Sequence, residues 1–281
     1  LTTGILLAVL AGAILHAGWN ALIKWEPDKL AASAAIAVCA GIVALPVALM
    51  SPAPLPASWL LIFFSAVIHV FYFVLVGYAL RHADLGVAYP LTRGSAPAFT
   101  AILGAIWLGE MLALSGWLAV GAIAAGVITL SADALLRGGL TQRAAILAFA
   151  NAAIVVAYTL LDGMGARLAG NAVSYVSWMM AGTALIIVVF AVLFRREAIA
   201  EKERGFWIRT SLGGALSIAS YTIAIWAMTK APIGLVAALR ETSVLFAAML
   251  GALIFGERFG PKRWAALVLI VFGIGLLRLT F

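Results

Sequence analysis

Two arginines pose the sharpest chemical question in this chain, because each lies inside a long apolar run. Arg93 and Arg240 stand 147 positions apart, with the sequence around one echoing the sequence around the other. Each falls roughly 9–12 Å along a helix from the nearest end of its run. An unpaired charge in a membrane costs at least about 2.5 kcal/mol, so each guanidinium calls for a carboxylate, a group of carbonyls or a water-filled cavity. A guanidinium grips a carboxylate through two parallel hydrogen bonds. That chemistry would serve a substrate carboxylate, and it would equally brace two opposing gates; both readings stand. Glu241 follows Arg240 directly, but neighbours on a helix point about 100° apart, so adjacency does not make them a pair.

A second set of residues can hydrogen-bond or stack. In the first apolar run, Gly12, His16, Trp19, Asn20 and Ile23 share one helical face at spacings of three and four. His16 and Asn20 offer hydrogen bonds, Trp19 a flat apolar wall, and the imidazole of His16 can change charge near neutral pH. The face could meet a substrate, or it could serve interhelical hydrogen bonds worth about 0.6 kcal/mol each. Further along, His69 shares a face with Tyr72, Asn151 with Tyr158, Ser174 with Trp178, and Ser217 with Tyr221. Each pair alone reads as packing or an interfacial anchor. Together they describe an aromatic, weakly polar lining suited to a small amphipathic solute. A zwitterion would place its carboxylate on Arg93 or Arg240, and its ammonium on Glu241 or on the oxygens of Ser243, Tyr221 and Asn151.

Other chemistries find less support. His16, His69 and His82 show no metal-ligand spacing, and Asp84, Asp133 and Asp162 read as isolated acids. No catalytic set, metal or cofactor is expected, which weighs against a membrane enzyme such as a lipid transferase. Cys39 is the single cysteine, so no intramolecular disulfide can form. The net charge of +7 comes from cations in short breaks between apolar runs, unlike the basic face of a nucleic-acid binder.

The elements that hold these residues follow from composition. Hydrophobic residues make up 65% of the 281 positions and charged residues 10%, and the mean hydropathy is +1.14. Soluble domains carry about 25% charged residues, so the solvent here is lipid. Ten spans are expected, near 4–23, 31–50, 58–80, 87–108, 114–133, 143–162, 173–194, 206–229, 234–255 and 263–281. They must be helices, since lipid offers no partner to an unpaired backbone amide. The first span is too long, and lacks the basic flank, to be a cleavable leader. Pro90 and Pro97 should kink the fourth span, and the ninth has no counterpart to either. Trp59, Trp107, Trp117, Trp207 and Trp264 fall near span ends as an aromatic belt. Glu110 and Glu257 should tie off loops at helix ends.

The echo organises the whole chain. Between 93 and 126, 12 of 34 residues recur at an offset of 147, among them Arg93/Arg240, Gly104/Gly251, Glu110/Glu257, Trp117/Trp264 and Gly126/Gly273. The chain is therefore two copies of one unit, residues 1–136 and 140–281. Five spans per copy is an odd number, so the second copy must enter the membrane inverted, a recurrent plan of secondary transporters. Thirteen of the 18 basic residues lie in the breaks after odd-numbered spans, which by the positive-inside rule places those breaks in the cytoplasm and both termini outside.

The pattern of Pro97, Gly104 and Gly109-Glu110 with Gly126, repeated through Gly256-Glu257 and Gly273, resembles the EamA family of the drug/metabolite transporter superfamily, in particular its aromatic amino acid exporters. The resemblance implies an all-α polytopic membrane protein, ten transmembrane helices in two inverted five-helix repeats around a central cavity. It implies export of amino acids and related metabolites. A monomer in the cell inner membrane is expected, whose partners are its small-molecule substrate and the bilayer. Family members are often drawn with cytoplasmic termini, opposite to the charge count. Many four-helix relatives couple to protons through a Glu in the first helix, but no acid lies between Leu1 and Lys24. On that ground flux should follow the substrate gradient. The rival reading, an organic-cation exporter, requires an embedded acid, for which Glu241 is the candidate.

Overall fold

The computed structural model describes residues 2–82, 85–130, 142–194, 202–255 and 260–278. Every regular element among them is helical: α1 (Thr3–Trp25), α2 (Lys29–Met50), a 3-10 turn (Pro56–Ser58), α3 (Trp59–His82), α4 (Leu85–Leu108), α5 (Leu114–Leu130), α6 (Gln142–Ala169), α7 (Ala172–Phe194), α8 (Arg204–Met228), α9 (Ile233–Arg240), α10 (Ser243–Phe255) and α11 (Pro261–Arg278). Helices α9 and α10 divide the ninth span, so each of the ten expected spans is met by helix among the described residues. The link around Arg137, the acids Asp84 and Asp133, and the role expected for Glu257 lie outside the described residues.

Local chemistry sets several boundaries. Asp28 caps α2 by accepting the amide of Ala31 at 3.1 Å, and Asn171 does the same for Ser174 at the start of α7. Pro261 opens α11 at the position where its missing N–H costs nothing. Among the described residues five helical segments are long and apolar enough to cross a membrane: Thr3–Trp25, Lys29–Met50, Phe149–Ala169, Ala172–Leu193 and Arg204–Met228. Their outer faces expose large apolar side chains, such as Ile42, Leu45 and Leu49 on α2 and Leu185, Val189 and Leu193 on α7. Water would not tolerate such patches; acyl chains match them. Trp59, Trp107, Trp207 and Trp264 are also exposed, as an aromatic belt requires.

The helices gather into two compact units, one made of Leu1–Ile14, Ala79–Leu160 and Lys230–Phe281, the other of Leu15–Tyr78 and Leu161–Thr229. Each unit draws on both sequence repeats. In the first, α5 packs on α11, the fifth helices of the two copies. A Cβ on Gly126 would stand 2.6 Å from Ile270 and 3.0 Å from the carbonyl of Ala266. A Cβ on Gly273 would stand 2.7 Å from Ile123 and 3.0 Å from the carbonyl of Ala119. Each contact is the other shifted by 147 positions, so the interface is self-complementary in the manner of a two-fold. As the residue number rises along α5 it falls along α11, so the two helices are antiparallel. Equivalent helices of the two copies therefore run in opposite directions, and the inversion expected from the odd span count is present in the packing itself.

In the second unit α2 is flanked by α7 and α8. Hydrogen bonds at the helix ends show how the chain alternates. At one end Arg209 pairs with Glu26 and lies 3.5 Å from Glu203, joining the first and seventh breaks. At the other, Leu55 donates to the carbonyl of Ala169 (3.3 Å), Ser174 Oγ to that of Pro52 (2.8 Å) and Arg167 Nε to that of Met228 (2.9 Å). Odd and even breaks thus collect at opposite ends.

Candidate functional site

In the first unit the key position is the interruption between α9 and α10. The amides of Glu241, Thr242, Val244 and Leu245 each reach back three residues rather than four, and Thr242 Oγ1 donates to the carbonyl of Leu239 at 2.7 Å. This tight turn breaks the ninth span. The fourth span, despite Pro90 and Pro97, continues as one helix. The interruption thus falls in the span that has no proline within it.

Helix α9 is held against α4 at several points. The amide of Ile233 donates to Glu110 Oε2 at 2.7 Å, the loop-tying role expected of that residue. Gly234 lies so close to Ala101 that a Cβ would come within 2.5 Å of its backbone. These anchors run α9 antiparallel to α4 and carry Glu241 to Arg93, whose Nη1 donates to Glu241 Oε1 at 3.0 Å. Both residues are buried. The partner of Glu241 is therefore an arginine of the other repeat, while its neighbour Arg240, half-buried, stays within electrostatic reach. Glu241 Oε2 is buried and accepts no hydrogen bond among the described residues. Ser243, buried, opens α10. Asn151 and Tyr158 are buried on one face of α6, and Asn151 Oδ1 accepts no hydrogen bond there either. Two cations and one anion at a broken helix form a place where charged groups of a ligand can exchange with charged groups of the protein.

The second unit holds a cluster that the sequence did not disclose. Asp162, read as isolated, is fully buried and is met by groups from three other helices. Tyr175 on α7 donates to its Oδ1 at 2.9 Å, and Tyr221 on α8 donates to its Oδ2. His69 on α3 places Nε2 4.0 Å from Oδ2. The Nδ1 of His69 lies 2.9 Å from the carbonyl of Ser65 and 3.2 Å from its hydroxyl. The ring of Tyr221 stands edge-on to His69 at 5.5 Å, and that of Tyr72 at 6.5 Å. Gly165, one turn after Asp162, makes room for this, because a Cβ there would sit 2.4 Å from the ring of Tyr175. Of the residues singled out in the sequence, His69, Tyr72 and Tyr221 are thus brought together around an acid that was not.

The face of α1 spends part of its polarity internally. Trp19 Nε1 donates to His16 Nδ1 at 3.3 Å, and Asn20 Nδ2 donates to the carbonyl of His16 at 2.8 Å. Trp19 packs into a core cluster with Ile23, Ala32, Ile36 and Phe206. Among the described residues no group of three His, Cys, Asp or Glu side chains could hold a metal ion.

A multi-pass helical chain, duplicated and inverted, with charges buried at a broken span, has the build of a transporter for small solutes. A solved crystal structure shares the fold, with a TM-score of 0.77 at 19% identity over 99% of this chain and 96% of the other. Curated protein sequences give no match. The EamA-like transporter family matches twice, over residues 2–132 and 142–279, and the chain belongs to that family. It is a membrane-embedded transporter of small molecules.

Proposed function

We propose that the protein exports amino acids, hydrophobic and aromatic ones among them, across the cell inner membrane by alternating access. The observation that supports this reading is the Arg93–Glu241 pair at the broken ninth span, with Arg240 beside it. A zwitterion carries the same two charges as the pair. Its carboxylate can take one guanidinium bidentately, while its ammonium meets Glu241, whose Oε2 has no hydrogen bond among the described residues. Ser243, Asn151 and Tyr158 supply further uncharged partners in the same unit. An organic cation would have to displace Arg93 and leave that guanidinium buried, which is why the pair favours a zwitterion over the cation reading.

The test is uptake of radiolabelled leucine, phenylalanine and tryptophan into proteoliposomes, with tetraphenylphosphonium as the organic cation. Saturable amino-acid uptake that Glu241→Gln abolishes is expected. Saturable uptake of the cation without uptake of any amino acid would overturn the reading.

A further inference from the structure

We propose that Asp162 and His69 together form a proton-binding site that couples transport to the proton gradient. The expectation of uncoupled flux rested on the first span, which has no acid. An acid is nevertheless embedded, seven residues before the end of α6 and completely buried. Among the described residues no Lys or Arg comes within ion-pair distance of it. The titratable groups that face it are His69 from α3, Tyr175 from α7 and Tyr221 from α8. Two phenol hydroxyls stabilise a carboxylate but do not neutralise it, and a buried carboxylate without a compensating positive charge is expensive.

The imidazole supplies what is missing. A carbonyl oxygen can only accept, so at 2.9 Å from the carbonyl of Ser65 the Nδ1 of His69 carries a hydrogen. In the neutral ring this makes Nε2 an acceptor, and Nε2 stands 4.0 Å from Asp162 Oδ2, a second acceptor. A proton taken up at this pair removes the uncompensated negative charge of the buried Asp162. One proton taken up there gives either imidazolium beside carboxylate or neutral imidazole beside carboxylic acid, and both satisfy the pair. A sodium ion would need about six oxygen ligands in place of a ring nitrogen, so the cluster selects a proton.

Coupling follows from position. His69 belongs to the first repeat, and Asp162, Tyr175 and Tyr221 to the second. A rocking of one repeat against the other opens the His69–Asp162 distance and exposes the proton to one side of the membrane. The binding step stands whatever the substrate is; only the coupling assay rests on the amino-acid reading above.

Infrared difference spectra of the purified protein across a pH titration read the binding step without any substrate. Wild type should show a protonated-carboxyl or imidazolium band that Asp162→Asn and His69→Gln each remove. Tyr221→Phe, which keeps both titrating groups, should retain it. If either of the first two variants fails to fold, the other still decides. A spectrum that neither changes, or a response to sodium at constant pH in place of a response to protons, would overturn the proposal. In proteoliposomes an imposed pH gradient should drive accumulation of labelled leucine by wild type. Asp162→Asn should lose that accumulation while still exchanging leucine for leucine. Accumulation by Asp162→Asn equal to wild type would overturn the coupling. The band without any leucine uptake would sink the amino-acid reading and leave the proton site standing.

Discussion

Glu241 and Asp162, both buried within spans, solve one electrostatic problem in different ways. Glu241 is neutralised by a whole opposite charge, Arg93, at 3.0 Å and at the point where a span is broken. Asp162 is surrounded by two phenols and an imidazole inside an unbroken helix. A permanent cation cannot leave its carboxylate unless another ion replaces it. An imidazole can change its charge in place. On the readings proposed above, the first arrangement responds to a charged solute and the second to a proton. Both join one repeat to the other, and neither has a duplicate. At the position equivalent to Glu241 the first repeat has Gly94, where a Cβ would already lie 2.5 Å from Ile128.

The largest effect should come from Arg93→Ala, which strands a buried carboxylate and should cost about 3–5 kcal/mol of stability, read by thermal unfolding in detergent. Arg93→Met combined with Glu241→Leu should restore most of that loss while transport stays absent. A double variant as unstable as the single one would show that the pair is not what neutralises Glu241. Next is Tyr175→Phe, which removes one hydrogen bond to a charged group and should cost about 1.5–3 kcal/mol. A negligible loss there would mean that Asp162 does not depend on its phenols. Gly126→Ala and Gly273→Ala should each cost about 1–3 kcal/mol through overpacking, and by nearly the same amount, because their surroundings are equivalent. Arg93→Gln and Arg240→Gln, equivalent in sequence but not in partners, should differ; equal losses would erase the distinction drawn here. The mildest test changes no function. Single cysteines in place of Lys24 and Glu203 should react with an impermeant maleimide from one side, and those in place of Ala53 and Lys230 from the other, in a Cys39→Ala background. Which side labels Lys24 decides between the charge count and the family's usual orientation.

The spans and their inversion were legible because lipid imposes a uniform rule on every segment, and because the duplication left glycines and charges in register. The site was legible in part. An arginine deep in an apolar run announces that it needs a partner, and Arg93 has one in Glu241. Asp162 escaped notice because the sixth span was drawn to end at 162, whereas α6 runs on to Ala169 and places the acid two turns inside. The apolar residues Met164, Leu168 and Ala169 beyond it were the available signal. Its partners come from three other helices, and no spacing along the chain records that. The broken ninth span was missed for a different reason. Proline is the visible sign of interruption, but here the interruption arises from side chains: Thr242 binding back to Leu239 and Glu241 turned to Arg93.

The self-complementary contact of Gly126 and Gly273 has a consequence for energetics. When two halves are related by a two-fold, tilting one toward one membrane face is the same deformation as tilting the other toward the opposite face, with the labels exchanged. A scaffold of identical halves would then assign equal energy to a state open inward and a state open outward. Any preference between them must come from groups that break the equivalence, among them Glu241, where the other copy has Gly94, and the buried Asp162. On the readings proposed above, a solute charge or a single proton would then tip the balance between the two states.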